Sequence, residues 1–298
     1  MKKEIKTISL NNSDYPSLLK EISNPPLKIN ILGKLPDEQK TKIAVVGTRK
    51  ATTEGKTIAR KIAQKLAELD IVVVSGLAMG IDTAAHEGAL LGNGQTIAVL
   101  ACGLDAIYPA QNENLAKKIL AERGAIISEY PVGTPTLQHQ FLERNRIISG
   151  LCAATIIIEA PERSGSLATA NWAVQQGREV FVAPGPINHP NYRGSHKLIR
   201  DGARLVGSVE DILEDLQLEI PNSKFQIPNK SQIPNPKIQN IKDKNQLLVY
   251  ETLREAGAPL TIDKIIQLTK LEPQIVNQAI AVLIIQEIIE ETESGYIV

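Results

Sequence analysis

The sequence predicts an α/β fold: an open, doubly wound, mostly parallel sheet of the Rossmann class, followed by a small C-terminal helical domain. Two observations predict it. Short Val/Ile runs recur between residues 43 and 185, and they are continuous rather than alternating, as strands covered on both faces require. Between them lie segments of helical periodicity, several ending at a glycine suited to a helix C-terminus. Such alternation implies parallel strands joined by crossover helices, with ligands expected at the strands' carboxyl ends.

The elements follow in order. Residues 1–40 form an N-terminal extension in which YPSLLKEISNPPLKINILGKL (15–35) predicts a short helix, a proline turn and an edge strand. Residues 41–215 form the sheet domain, with strands at 43–47, 71–76, 96–103, 125–130, 155–160 and 179–185 and helices at 56–70, 82–92, 112–124 and 169–177. Residues 216–242 repeat an IPN-like unit rich in Pro, Asn and Lys, the composition of an extended linker. Residues 243–298 predict three helices and a short hairpin, a winged-helix-like arrangement.

Length and composition set bounds. The 298 residues predict about two domains, and 43% hydrophobic with 22% charged residues excludes wholesale disorder. No apolar run approaches the roughly 20 residues of a membrane helix, and the opening MKKEIKTISLNN lacks a signal's apolar core, so a cytoplasmic protein with no membrane insertion is expected. Cys102 and Cys152 sit in apolar stretches and read as buried thiols.

The net charge is zero, but its distribution is uneven: 18 residues of each sign in 41–215, four Lys against Glu219 in 216–242, and four basic against nine acidic residues in 243–298. Any polyanion site is therefore a local pocket of the sheet domain. The third predicted tail helix, from Pro273 to Glu291, has no Lys or Arg, which disfavours duplex reading by it.

Four segments carry candidate chemistry. After the first strand of the sheet domain, Gly47, Thr48, Arg49 and Lys50 precede a helix beginning near Gly55; a glycine turn, a helix dipole and two cations suit a phosphate. The spacing matches neither G-x-G-x-x-G nor a P-loop, which disfavours NAD or ATP binding. After the second strand, Ser75, Gly76, Ala78 and Gly80 are small enough for close ligand approach, Asp82 caps the next helix, and His86 one turn later reads as its local hydrogen-bond partner. After the fifth strand, Ser164, Gly165 and Ser166 crowd another helix start. Between the fourth and fifth, Phe141 precedes Arg144, Asn145 and Arg146. A ring beside guanidinium groups suits single-stranded nucleic acid, while the alternative is a core ring with arginines paired to Glu143 and Glu129.

VVGTRKAT, SGLAMGIDTAAHEGAL, IAVLACGLDAIYPAQNENLA, RNRIISGL and EAPERSGSLATANWAVQQGREVFVAPGPI resemble successive blocks of the DNA-processing protein A family (DprA, also called Smf) over about residues 15–215. The resemblance implies an extended Rossmann fold that binds single-stranded DNA without sequence preference, loads RecA recombinase in natural transformation, forms a homodimer through the sheet domain, and has neither catalysis nor cofactor. It assigns phosphate contacts to Arg49 and the Gly47–Lys50 loop, backbone contacts to Ser75–Gly80, and a pocket wall to Phe141 and Arg144–Arg146. Leu142 and Gln138 depart from the family's usual Pro and Lys. A small helical domain that often precedes the position of Tyr15 has no room here. The alternative is a nucleotide-phosphate hydrolase on a related sheet, but PGPINHP (184–190) lacks the second glycine and the acid of those enzymes' motif.

Overall fold

The computed structural model describes residues 4–218, 243–256, 259–285, 288–292 and 295–297. Most of the expected 216–242 linker lies outside the described residues. The chain divides into two compact units, Met1–Ile220 and Pro221–Val298.

The first unit is built on a nine-stranded sheet: β1 (Lys6–Ser9), β2 (Lys28–Gly33), β3 (Lys42–Val46), β4 (Val72–Ser75), β5 (Thr96–Val99), β6 (Ala125–Ser128), β7 (Ala154–Ile157), β8 (Glu179–Val182) and β9 (Arg204–Leu205). Their spatial order is β1-β2-β6-β5-β4-β3-β7-β8-β9. From β6 to β9 all neighbours are parallel, and β1 and β2 are added antiparallel. The expected edge strand, β2, is interior: β1 covers it, because Thr7 and Ile8 pair with Asn30 and Ile29 in register.

Helices cover both faces: α1 (Ser17–Lys20), α2 (Thr53–Glu68), α3 (Ile81–Leu91), α4 (Glu113–Ala121), α5 (Gln138–Gly150), α6 (Gly165–Gln175), α7 (Arg193–Arg200) and α8 (Val209–Asp215). Successive side chains of one strand enter different cores. Ala44, Val46, Val72 and Val74 pack with Ile147, Ile148, Ala170 and Ala173 of α5 and α6. Ile43, Val45 and Val73 pack on the other face with Ala59, Ala63, Leu66 and Ala85 of α2 and α3. This two-sided burial is the physical origin of the unbroken Val/Ile runs. Both cysteines are buried free thiols, and burial pushes both thiols' pKa values up.

The chain order reverses between β3 and β7, which are neighbours although far apart in sequence. The loops leaving their carboxyl ends diverge to opposite sides of the sheet, and the crevice between them is where an open α/β sheet takes its ligand.

The second unit contains α9 (Lys244–Ala256), α10 (Ile262–Thr269), α11 (Pro273–Ile285) and the antiparallel pair β10 (Glu290–Thr292) and β11 (Gly295–Ile297) around its own core, including Val249, Leu253, Ile265 and Val276. Among the described residues no helix is long and apolar enough to cross a membrane.

Candidate nucleic-acid interface

Three helix N-termini converge on the crevice, and the chain treats them differently. After β3, Thr48 donates its amide to the Glu159 carbonyl (2.8 Å), which binds this loop to the end of β7. Gly47 is required by close approach, since a Cβ there would stand 2.5 Å from Ile81. Helix α2 begins at Thr53, capped by Thr52, whose hydroxyl accepts from the Gly55 amide (2.9 Å). The expected use of this terminus for a phosphate is corrected by the structure, because a protein carboxylate already fills it. Glu159, fully buried, accepts the Thr52 amide (3.1 Å), the Thr52 hydroxyl, the Asn191 side-chain amide (2.8 Å) and the Tyr192 hydroxyl (3.2 Å). Burial and then Glu159 push the Tyr192 hydroxyl up to about 12, so it stays a donor.

The second terminus is also filled. Asp82, buried in the first turn of α3, accepts the amides of Gly76 (3.1 Å) and Ala78 (3.4 Å). Burial pushes its carboxyl up, opposed by the charge of Arg144 and by these amides. Gly80 takes φ +87°, which lets the chain enter α3 tight against the Thr48 carbonyl. The expected Asp82–His86 hydrogen bond is absent from these contacts. Thr96 spends its hydroxyl proton on the Val73 carbonyl (2.7 Å), so His86 Nδ1 (2.8 Å away) is the donor to Thr96. His86 Nε2 is buried without a partner among the described residues, and burial, then Arg144, draws the imidazole down to about 3.

The third terminus is open. Ser164 precedes α6 in extended conformation without a side-chain cap; its hydroxyl meets that of Ser166 (2.7 Å) instead. Gly165 is exposed, and a Cβ there would have nothing nearer than Asn145 at 4.0 Å. Asn145 holds the turn by donating to the Gly165 carbonyl (3.0 Å). Free amides, two hydroxyls and the positive end of the helix dipole thus face the crevice with no carboxylate among the described residues upon them.

Around this terminus lies a cavity of about 740 Å³. Arg49 and Lys50 are exposed on one side and Arg163 on the other. The Arg49 guanidinium lies 4.4 Å above the half-buried Phe141 ring, and Tyr108, 46% exposed, stands 5.7 Å from that ring at a tilt of 53°. Cations and aromatic faces are therefore interleaved at the mouth, with Leu142 also exposed there.

Of the residues expected from sequence, Gly47, Thr48, Arg49, Lys50, Ala78, Phe141, Arg144, Asn145, Ser164, Gly165 and Ser166 line this cavity. Four expectations are corrected: Ser75, Gly76, Gly80 and Arg146 do not line it. Ser75 is fully buried with its hydroxyl on the Val45 carbonyl (2.8 Å), and the Gly76 and Gly80 backbones are packed beneath Arg144 and against Thr48. Arg146 is held by Glu129 in a fork of 2.8 and 2.7 Å. Arg144 is in the wall, yet its guanidinium donates to the carbonyls of Gly76 (2.8 Å) and Val99, and burial draws it down to about 10. It braces the β4 loop and contributes field rather than an open fork. Sequence reasoning missed Tyr108 and Arg163. Tyr108 is one of ten aromatic residues, and Arg163 directly precedes the Ser-Gly-Ser turn, so both signals were present.

Residues 6–217 match the family model of DNA recombination-mediator protein A. Protein Smf of Escherichia coli is 38% identical over 275 residues, spanning 89% of this chain and 73% of that protein. The DNA processing protein DprA of Streptococcus pneumoniae is 42% identical over 211 residues, 71% of this chain and 74% of the relative. Its crystal structure superposes with a TM-score of 0.66 at 40% identity, over 71% of this chain and 74% of that one. DNA processing protein A of Helicobacter pylori, whose structure concerns its single-stranded DNA binding mode, gives a TM-score of 0.64 at 30% identity, over 72% and 97%.

Proposed function

This chain belongs to the DNA recombination-mediator protein A family, and from that premise we propose that it binds single-stranded DNA in the crevice between β3 and β7 and hands it to RecA recombinase. One observation carries the reading: the open N-terminus of α6 lies between Arg49 and Arg163, exposed cations without an acidic partner among the described residues, and beside the accessible Phe141 and Tyr108 rings. Phosphates meet amides and guanidinium groups, and unstacked bases meet rings; neither contact distinguishes one base from another, so binding is sequence-independent. A duplex hides its base faces and forfeits half of this.

The binding is non-catalytic and needs no cofactor. Asp82 is the one carboxylate among the described lining residues, and it is engaged by the Gly76 and Ala78 amides, which supports a binding role over the hydrolase alternative. We propose further that it works as a cytoplasmic homodimer formed through the sheet domain, in natural transformation; the relatives named DNA processing protein support the DNA-processing part of this reading.

The deciding experiment is a fluorescence-anisotropy titration with a labelled oligothymidylate and with a duplex of equal length, at two salt concentrations. Tighter, salt-sensitive binding to the single strand is expected. Equal binding to both, or none, overturns the reading. RecA delivery is tested next, as faster filament assembly on a strand already covered by single-strand-binding protein.

A further inference from the structure

Helix α7 has two unlike faces. Gly194 and Ser195 are buried, and Leu198 and Ile199 pack on the sheet core. Arg193, Lys197 and Arg200 are exposed and, spaced i, i+4, i+7, share the opposite face over about 10 Å. His196 is not free to join them, because its Nε2 lies 3.2 Å from the Gly185 carbonyl.

Three features separate this stripe from an ordinary solvated helix face. First, among the described residues no carboxylate pairs with any of the three, whereas Arg60, Arg146, Arg178 and Arg204 each have an acidic partner. The acids nearest in the chain, Glu162 and Asp201, are exposed and engage none of them. Second, the first turn of α7 holds Arg193 and no acid, against the preference set by the helix dipole. Helix stability therefore does not explain the cation. Third, the helix is fixed to the cavity. The amides of Gly194 and Ser195 donate to the Ala160 carbonyl (2.9 and 3.2 Å), and the Ser195 hydroxyl accepts the Ala160 amide (3.0 Å). Residue 160 directly precedes the lining segment of Pro161 and Arg163. Asn191, just before α7, donates to the Lys50 carbonyl (3.0 Å).

We propose that the Arg193–Lys197–Arg200 face of α7 is a second length of phosphate track, onto which a single strand leaving the cavity past Arg163 lays its backbone. The inference rests on the single-strand reading above and extends it: the cavity grips a short segment, and α7 sets the strand's exit path. Continuity with the cavity and charge complementarity favour a nucleic-acid backbone as the occupant.

The test uses the full chain with the triple substitution Arg193→Gln, Lys197→Gln and Arg200→Gln, which removes charge from exposed sites and keeps good helix formers. The single substitution Lys197→Gln serves as a milder second variant. Anisotropy is measured with oligothymidylates of about 6 and about 25 nucleotides, bracketing common single-strand site sizes. With the long strand, the triple variant is expected to bind several-fold more weakly. The slope of log affinity against log salt falls by about 2, as three lost phosphate contacts at about 0.7 each require. With the short strand, affinity stays within about twofold.

Unchanged long-strand affinity and slope overturn the proposal and leave the face to an acidic protein partner. Equal losses with both strands also overturn it, since they reflect a general field or a disturbed cavity. If the unsubstituted protein binds neither strand, the single-strand reading itself has failed and this inference falls with it.

Discussion

Arg49 is the side chain on which the interface turns, because it is exposed, has no acidic partner among the described residues and is laid over Phe141. Its replacement by Ala is expected to weaken binding to every homopolymer by a similar factor and to lower the salt slope by about 0.7, one phosphate's worth. A base-dependent loss in the same titrations would assign Arg49 to bases instead. For Phe141→Ala the expected loss is about 1–3 kcal/mol of binding, the cost of one stacking platform. If the variant melts earlier but binds normally once folded, the ring is core. The sequence singled out both residues and could not rank the two cations and the amide, Arg144, Arg146 and Asn145, that follow Phe141. Arg144 and Arg146 differ in their partners, Gly76 and Val99 for one and Glu129 for the other, and those lie 17 to 68 positions away. Spacing along one chain carries no information about contacts at that separation. Chemistry at residue scale was legible where the residue stays exposed, and hidden where folding consumes it.

At the scale of elements, the contrast among three helix N-termini makes the site. Two are satisfied by Glu159 and Asp82, and the third is left for a ligand. Glu159 has a further effect, since it fastens the Arg49 loop through its own carbonyl and, through Asn191, the Lys50 carbonyl. Substitution by Ala leaves buried donors at Thr52 and Tyr192 unmatched, each costing about 1–3 kcal/mol. Single-strand affinity is then expected to fall although Glu159 touches no DNA. An unchanged affinity in folded Glu159→Ala protein would show that the loop holds its shape without it. Helix α3 gives a pH prediction. The His86 imidazole is drawn from about 6.5 to about 3 by burial, so its folded form stays neutral while the unfolded chain takes up a proton. Its contribution is complete above pH 6.5 and is lost progressively between 6.5 and 3, at about 1.4 kcal/mol per pH unit at most. Chemical denaturation across that window should show a shallower acid limb for His86→Gln than for the unsubstituted chain, and parallel limbs would refute a buried neutral imidazole. The buried strands β3 to β8 were legible because double-sided burial leaves an unmistakable apolar run. Helix α5 was not, because Arg144, Asn145 and Arg146 occupy buried positions and erase the helical period. β9 has two residues and no pattern to read.

For the whole molecule, the doubly wound class followed from alternation alone, but the reversal between β3 and β7 did not. Strand order depends on which side each crossover takes, and local sequence does not encode that choice. Once the reversal is known, the crevice has one place to be, and the described lining residues all fall between Val46 and Thr169, in the first unit. The second unit has a core of its own and a helix α11 without Lys or Arg, in a segment with nine acidic and four basic residues. Each unit therefore has the means to fold alone, and the acidic 243–298 segment is unsuited to a phosphate backbone. A chain ending at Ile220 is expected to bind oligothymidylate with the same salt slope as the full chain. At low salt its affinity should be equal within about twofold, because the removed residues 221–298 carry eight basic against nine acidic residues and their loss leaves the field at the cavity nearly unchanged. A roughly tenfold loss, or a slope lower by one or more, would mean that cations of the second unit reach the strand. The salt slope is the more decisive readout: it counts phosphates in contact, whereas affinity also responds to any change in how the first unit is held.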